Sequence, residues 1–229
     1  MQARNRRPEM MDQPGLDRSL HVEALRGLGR INLWSRSLSA LWRPIEQAAR
    51  KSPIRVLDLA CGGGDLVRGL ASRAKKAGLD IQFDGADFSE DAIAYADEQA
   101  KAEGLNTGFF ILDALRDPVP GDYDIVTCTL FLHHLDESDA VLLMTRMREA
   151  SRKLVLIDDL IRSRFGYLLA TVGCRLLSRS KVVHYDGPTS VSGAFRLDEV
   201  RLLAEKSGLV DAQITTHWPQ RFLLSWNRT

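Results

Sequence analysis

The amino-acid sequence predicts an α/β fold, a doubly wound sheet with helices on both faces, and three observations lead to it. After Pro53, short apolar runs alternate with stretches of helical spacing: IRVLDLA, IQFDGAD, GFFILDA, YDIVTCTLF and KLVLIDDL. Strands in that rhythm indicate a parallel sheet, because a parallel connection must cross over and usually does so as a helix. The first run ends in an acid and enters a glycine turn, VLDLACGGGDLVRGLA at residues 56–71, which lets backbone approach a ligand in front of a helix N-terminus. Two further apolar runs, LVDAQITTH and RFLLSWN, follow the last helix and bring the count to about seven strands.

In chain order, residues 1–15 are polar, contain Pro8, Pro14 and Gly15, and read as a loose, flexible arm. Over 16–52, Leu25, Leu28, Ile31, Trp34, Leu38, Leu41 and Ile45 recur three or four apart, which makes helices ahead of the first strand. The core spans 53–160, with helices over 65–77, 89–103 and 136–151. Ser89 caps the second of these, with Glu90 and Asp91 in its first turn. Over 161–196 the rhythm breaks into one apolar helix, FGYLLATVGCRLL, and an irregular polar loop, VVHYDGPTSVSGAF. Residues 197–229 supply a closing helix, ended by Gly208 in a left-handed cap position, and the closing strands. No Gly/Ser-rich linker intervenes, so 16–229 reads as a single domain.

Composition narrows the partners. With 229 residues, 45% hydrophobic and 27% charged, the chain is long enough to bury a full core. Thirty-one basic residues against 30 acidic ones give a net charge of +1, which offers no global attraction to a phosphate backbone or an anionic membrane. The short arm Arg4, Arg6, Arg7 is no RNA-binding module. The expected partner is therefore a small molecule, with no nucleic acid and no stable membrane insertion, for a monomer or homodimer. MQARNRRPEMM is followed by DQPGLDRS where a secretory signal needs an apolar run, and no 18-residue apolar stretch occurs. Cys61, Cys128 and Cys174 are odd in number and form no CxxC pair, so a reducing, cytoplasmic location is expected.

The glycines alone leave the nucleotide open. A dinucleotide fingerprint needs a third glycine where Val67 stands, which opposes a nicotinamide-dependent oxidoreductase, and no Lys-Ser or Lys-Thr closes a P-loop. What fits is acid-x-small-x-Gly-x-Gly, at Asp58, Ala60, Gly62 and Gly64, followed in order by Asp87, Asp113 and LFLHHL after the second, third and fourth runs. On these residues the chain resembles the class I S-adenosylmethionine (SAM) dependent methyltransferases, over about residues 53–160.

The resemblance implies a Rossmann-like sheet of about seven strands, mostly parallel with the last antiparallel, a helical insertion after the fifth, SAM as cofactor and S-adenosylhomocysteine as product. It implies that Asp58 lies beside the methionine part, with Cys61 in the turn and Gly62 and Gly64 giving room. Asp87 would take the ribose hydroxyls, Phe88 would flank the adenine, and Asp113 with the Ala114 backbone would meet the adenine amino group. Thr129, ending the fourth strand, joins the cofactor set. Ala60 stands where the family often has glycine and is read as needing only to be small. Arg30 or Arg36, on a covering helix, would bind the cofactor carboxylate.

A sulfonium methyl group is already activated, so its transfer needs alignment more than acid–base power, although a phenol or enol acceptor is helped by a base. His133 and His134, at the carboxyl edge of the sheet, are the first base candidates, against a reading in which they only pack on the cofactor. His184 is the second, against a surface-loop residue. Asp158 and Asp159 are adjacent on a strand, so one of them faces the site, and Asp159 is chosen. Asp158, Asp159, His133 and His184 assemble into a metal site on paper, but nothing in the spacing demands it and no metal is expected. Trp34, Leu38, Trp42, Phe165, Tyr167, Leu168, Leu169 and Leu176 supply an apolar lining. RGLGRINLW, LIDDLIRSRFGYLLA and HYDGPTSVSGAF resemble bacterial small-molecule methyltransferases related to those acting on phenols, quinone precursors and polyketides. By that analogy the expected reaction is O-methylation of an apolar aromatic or polyketide-like acceptor. C-methylation of a quinone-type ring and a non-catalytic SAM-binding module are the alternatives.

Overall fold

A computed structural model describes residues 3–11 and 17–228. Two helices, α1 (Arg18–Trp34) and α2 (Ser37–Ala49), lead into β1 (Ile54–Leu59), α3 (Asp65–Ala77), β2 (Ile81–Asp87), α4 (Glu90–Ala102), β3 (Thr107–Ile111) and β4 (Tyr123–Thr129). A 3-10 turn (Leu132–His134), α5 (Glu137–Ala150) and β5 (Ser151–Leu160) complete the alternating part. Then come α6 (Arg164–Leu177), α7 (Lys181–Gly193), α8 (Leu197–Lys206), β6 (Gln213–His217) and β7 (Arg221–Asn227).

The seven strands lie in the order β3-β2-β1-β4-β5-β7-β6. The first five pair in parallel, and β7 runs antiparallel to both β5 and β6. The order therefore reverses between β1 and β4, and an open α/β sheet forms its crevice beyond the carboxyl ends at such a reversal. Strand alternation builds a core on each face. Val56, Ile125, Leu154 and Leu156 pack with Leu41, Trp42 and Ile45 of α2 and Val67 and Leu70 of α3. Leu57, Val126, Val155 and Ile157 pack on the other face with Leu143, Met144 and Met147 of α5 and Val200 and Leu203 of α8. Ser89 accepts from the Ala92 amide and Asp136 from the Asp139 amide, which satisfies free N–H groups at the starts of α4 and α5.

Two stretches depart from the sequence reading. VVHYDGPTSVSGAF is a helix, not an irregular loop: α7 buries Val182, Val183, Asp186, Ser190 and Val191, and tertiary packing overrides the poor propensity of Gly187 and Pro188. Gly187 is needed where α7 crosses α6, since a Cβ there would stand 2.3 Å from the Cys174 sulfur. The arm, read as loose, is docked over residues 3–11. Asn5 donates to the Ser192 carbonyl, Arg4 lies 3.6 Å from the Phe195 ring centroid, and the Met10 and Met11 amides donate to Asp186. Among the described residues no helix is long and apolar enough to cross a membrane.

Gly64 ends the β1–α3 turn at φ 69°, and a Cβ there would lie 2.7 Å from the Phe109 ring and 2.8 Å from Ala96. Gly78 has a similar φ of 64° in open space. Gly64→Ala is therefore expected to destabilise the protein by about 2–4 kcal/mol, backbone strain plus overpacking. Gly78→Ala should cost about 1 kcal/mol, strain alone. Urea unfolding of both variants checks this, and equal costs would contradict it.

Candidate active site

A cavity of about 660 Å³ opens beyond the carboxyl ends of β1, β2 and β4. Its first wall is the β1–α3 turn, with Asp58, Ala60, Cys61 and Gly62, joined by Asp87 and Phe88 at the end of β2. Two non-glycine residues on the wall, Ala60 (φ 55°) and Leu130 (φ 56°), hold left-handed backbone. Such strain costs of order 1–2 kcal/mol per residue and tends to gather at functional sites. For Ala60 this corrects the reading that the position need only be small: the backbone itself requires what glycine adopts freely.

Asp87 fixes the turn. Its Oδ2 accepts from the Gly62 amide and its Oδ1 from the Ser89 amide, both at 2.9 Å. Beneath it Asp58 is fully buried and accepts from Thr127 Oγ1 at 2.6 Å. Burial pushes the Asp58 carboxyl up to about 7, opposed by the Thr127 bond and reinforced by Asp65 and Asp87. Burial, and then the same carboxylates, push the Cys61 thiol well up, so it is no nucleophile. All three cysteines are buried free thiols.

The opposite part of the wall is an imidazole–carboxylate cluster. His133 and His134 follow β4 in the 3-10 turn, with ring centroids 4.2 Å apart. Asp159, on the face of β5 that carries Val155 and Ile157, holds His133 Nδ1 at 2.7 Å and accepts from the His133 amide at 3.1 Å. From the arm, buried Glu9 reaches His133 Nε2 at 3.5 Å and His134 Nε2 at 3.9 Å. Burial lowers the His133 pKa, but the charge and hydrogen bond of Asp159, with those of Glu9, outweigh it and raise it to about 10. Burial likewise opposes ionisation of Glu9 and Asp159, and His133 more than offsets it, holding both carboxyls below their ordinary values. Between the two parts, Leu169, Ala170, Gly173 and Leu177 of α6 and Val191 of α7 give an apolar wall.

Residues 56–153 match the family model described as a methyltransferase domain. Over these residues the chain is similar to the class I SAM-dependent methyltransferases. It is 38% identical over 128 residues to the ubiquinone biosynthesis O-methyltransferase of Methylococcus capsulatus, covering 55% of this chain and 51% of that one. Against the demethylmenaquinone methyltransferase of Thermus thermophilus it is 36% identical over 118 residues, 51% of this chain and 52% of that one. The chain thus spans about half the length of these curated relatives. The fold is similar to that of magnesium protoporphyrin IX methyltransferase from Synechocystis PCC 6803, solved with bound S-adenosylhomocysteine, at a TM-score of 0.61 and 16% identity over 96% of this chain and 91% of that one.

The family's cofactor is SAM, and the residues present fit it. A Cβ on Gly62 would meet no protein atom within 4 Å, and Thr129 Oγ1 is buried on the wall without a hydrogen-bond partner. Carboxylates at Asp58, Asp65 and Asp87 suit a ligand that carries a sulfonium and an ammonium.

Other methyltransferase positions read from the sequence lie off the wall. The Asp113 side chain turns back onto the Leu115 and Arg116 amides, and the Ala114 carbonyl accepts from Arg146. His184, on α7, donates from Nε2 to the Ser178 carbonyl at the end of α6, away from the cavity. Asp158 points to Ser37, His217 and Arg221, opposite to Asp159, so the metal set drawn on paper with His184 is not assembled. Asp159 stands behind His133 and not on the wall. Of the apolar residues read as lining, Leu169 is on the wall. Leu38 and Trp42 pack in the core, while Phe165, Tyr167, Leu168 and Leu176 are exposed. The side chains of Leu28, Arg30 and Trp34 lie outside the described residues, and Arg36 is exposed. Among the wall residues that sequence reasoning missed are two buried charged ones. Glu9 carries no local signal, and Arg221, the buried cation of β7, shows only as a charge opening an apolar run.

Between pH 4 and 7 folded Asp58 keeps a proton that the unfolded chain, titrating near 3.8, has released. Stability should therefore fall as pH rises through that window and stay low above it. Asp58→Asn removes the penalty, with an expected gain on the order of 3 kcal/mol at pH 8 and almost none at pH 4. Denaturation at the two pH values checks this, and an equal gain at both would contradict it.

Proposed function

We propose that this cavity aligns SAM with a small hydroxylated aromatic acceptor and that the methyl group passes to a hydroxyl oxygen. The observation that carries this reading is the cavity's composition. One continuous wall joins a carboxylate-rich glycine turn, an apolar α6–α7 face and an imidazole clamped by a buried aspartate. The similarity to a ubiquinone biosynthesis O-methyltransferase and a demethylmenaquinone methyltransferase supports the acceptor class.

SAM supplies a methyl carbon already activated by its sulfonium. The chain's own residues then bind and aim. In this reading Asp87 takes the ribose hydroxyls, Asp58 faces the methionine part, Phe88 flanks the adenine, and Thr129 Oγ1 finds its missing partner. Leu169, Ala170 and Val191 hold the acceptor ring and exclude water. Asp159 fixes the His133 ring, which its raised pKa keeps protonated, so that the Nε2–H donates to the acceptor oxygen and aims it at the methyl carbon; the hydroxyl proton passes to solvent, and the imidazolium holds the oxygen as the attacking anion. The Thermus relative's name supports a second reading, C-methylation of the ring, which uses the same alignment with carbon as nucleophile.

A panel of di- and trihydroxylated benzenes and naphthoquinols, assayed for S-adenosylhomocysteine and for the methylated product by NMR, tests this. An O-linked methyl on an apolar member is expected, with kcat falling about 10²–10⁴-fold in His133→Ala while SAM affinity stays within about twofold of wild type. A C-linked methyl would move the assignment to the second reading. SAM binding without turnover across the panel would leave a binding module.

A further inference from the structure

We infer that Glu9, His133 and His134 form a site for one divalent transition-metal ion on the cavity wall. Among the described residues, the Glu9 carboxylate and the two imidazoles place their donor atoms all within 4.8 Å of one another. Glu9 Oε1 lies 3.5 Å from His133 Nε2 and 3.9 Å from His134 Nε2. The first is at the long limit of a hydrogen bond and the second is beyond it. Both are near the spacing of two ligands on one tetrahedral ion, about 3.3 Å for metal–donor distances near 2.0–2.1 Å. Closing the two Glu9 distances takes shifts of about half an ångström or less, and side-chain rotation of the imidazoles supplies the rest.

The groups behind the donors match as well. A ligating histidine usually gives its other ring nitrogen to a carboxylate, which fixes the ring and raises its donor strength. His133 has that partner in Asp159 at 2.7 Å, which is itself held by the His133 and Leu160 amides. Glu9 has one in Ser190 Oγ at 2.6 Å. The backbone carrying both histidines is tied to the arm that carries Glu9: Arg4 donates to the His133 carbonyl at 2.9 Å and Arg6 to the His134 carbonyl at 2.6 Å. Glu9 and Asp159 bring two negative charges into a buried place, and a dication with two neutral imidazoles balances both.

Two imidazoles and one carboxylate suit zinc, and also cobalt or iron, better than magnesium. Three protein donors leave a fourth position toward the cavity for water or an acceptor oxygen. The ion site stands on the side chains alone. Its use in polarising an acceptor hydroxyl rests on the O-methylation reading above, with the ion standing between His133 Nε2 and the acceptor oxygen in place of their direct contact, and the test therefore reads metal binding and not turnover.

The full-length protein, stripped with a chelator, is titrated with Co²⁺ and followed by its visible d–d bands, with Zn²⁺ in competition. One equivalent is expected, with tetrahedral bands that Zn²⁺ removes. Glu9→Gln and His134→Ala should each weaken binding more than about tenfold, and Asp159→Asn by about 10–100-fold, with SAM affinity by calorimetry as the check that each variant is folded. No binding by the wild type at micromolar metal would overturn the inference, as would unchanged metal affinity in a Glu9→Gln variant that binds SAM normally. Either result would leave O-methylation standing, to be judged by the acceptor panel.

Discussion

The site depends on the Asp87 carboxylate being held where two strand ends meet. The Gly62 amide reaches Oδ2 because Ala60 and Gly62 both turn left-handed (φ 55° and 51°), and the Ser89 amide closes on Oδ1 before Ser89 caps α4. Backbone bonds from Cys61 to the Ala86 carbonyl and from Leu112 to the Asp87 carbonyl tie the ends of β1 and β3 to the same place. Leaving such an amide without its acceptor costs about 1–3 kcal/mol. The strained turn, the start of α3 and the start of α4 are thus one unit with a carboxylate at its centre.

Charge divides the cavity in two. On the turn side Asp58, Asp65 and Asp87 stand together, and the charges of Asp65 and Asp87 add to burial in raising the Asp58 carboxyl. A cationic ligand offsets that repulsion, whereas a dinucleotide's pyrophosphate would add to it. On the histidine side the balance is internal, with Asp159 and Glu9 facing His133 and His134. The apolar wall from α6 and α7 spans the two, and low polarity there strengthens every electrostatic contact around it.

The sheet was legible because parallel strands buried on both faces leave continuous apolar runs, and the closing strands were read from LVDAQITTH and RFLLSWN. Strand alternation predicted that Asp158 and Asp159 point to opposite faces, and the structure sends them there, with Asp159 behind His133 and not on the wall. What escaped was set by tertiary contact. Gly187 and Pro188 hide α7, whose helix is supported by packing on α6. Glu9 sits in a segment without periodicity and is defined only by the histidines it meets, more than 120 positions away. The exposed Phe165, Leu168 and Leu176 show the converse error, since these large residues of α6 face outward while Leu169 and Leu177 join the small Ala170 and Gly173 on the cavity wall.

The central claim is that the Asp87-centred turn holds SAM. Calorimetric titration of the wild type and Asp87→Ala with SAM and S-adenosylhomocysteine tests it most directly. Micromolar binding of both by the wild type, weakened about a hundredfold or more in the variant as two charge-assisted hydrogen bonds are lost, is the predicted result. Equal affinity in the two proteins, or no binding by the wild type, would contradict the account.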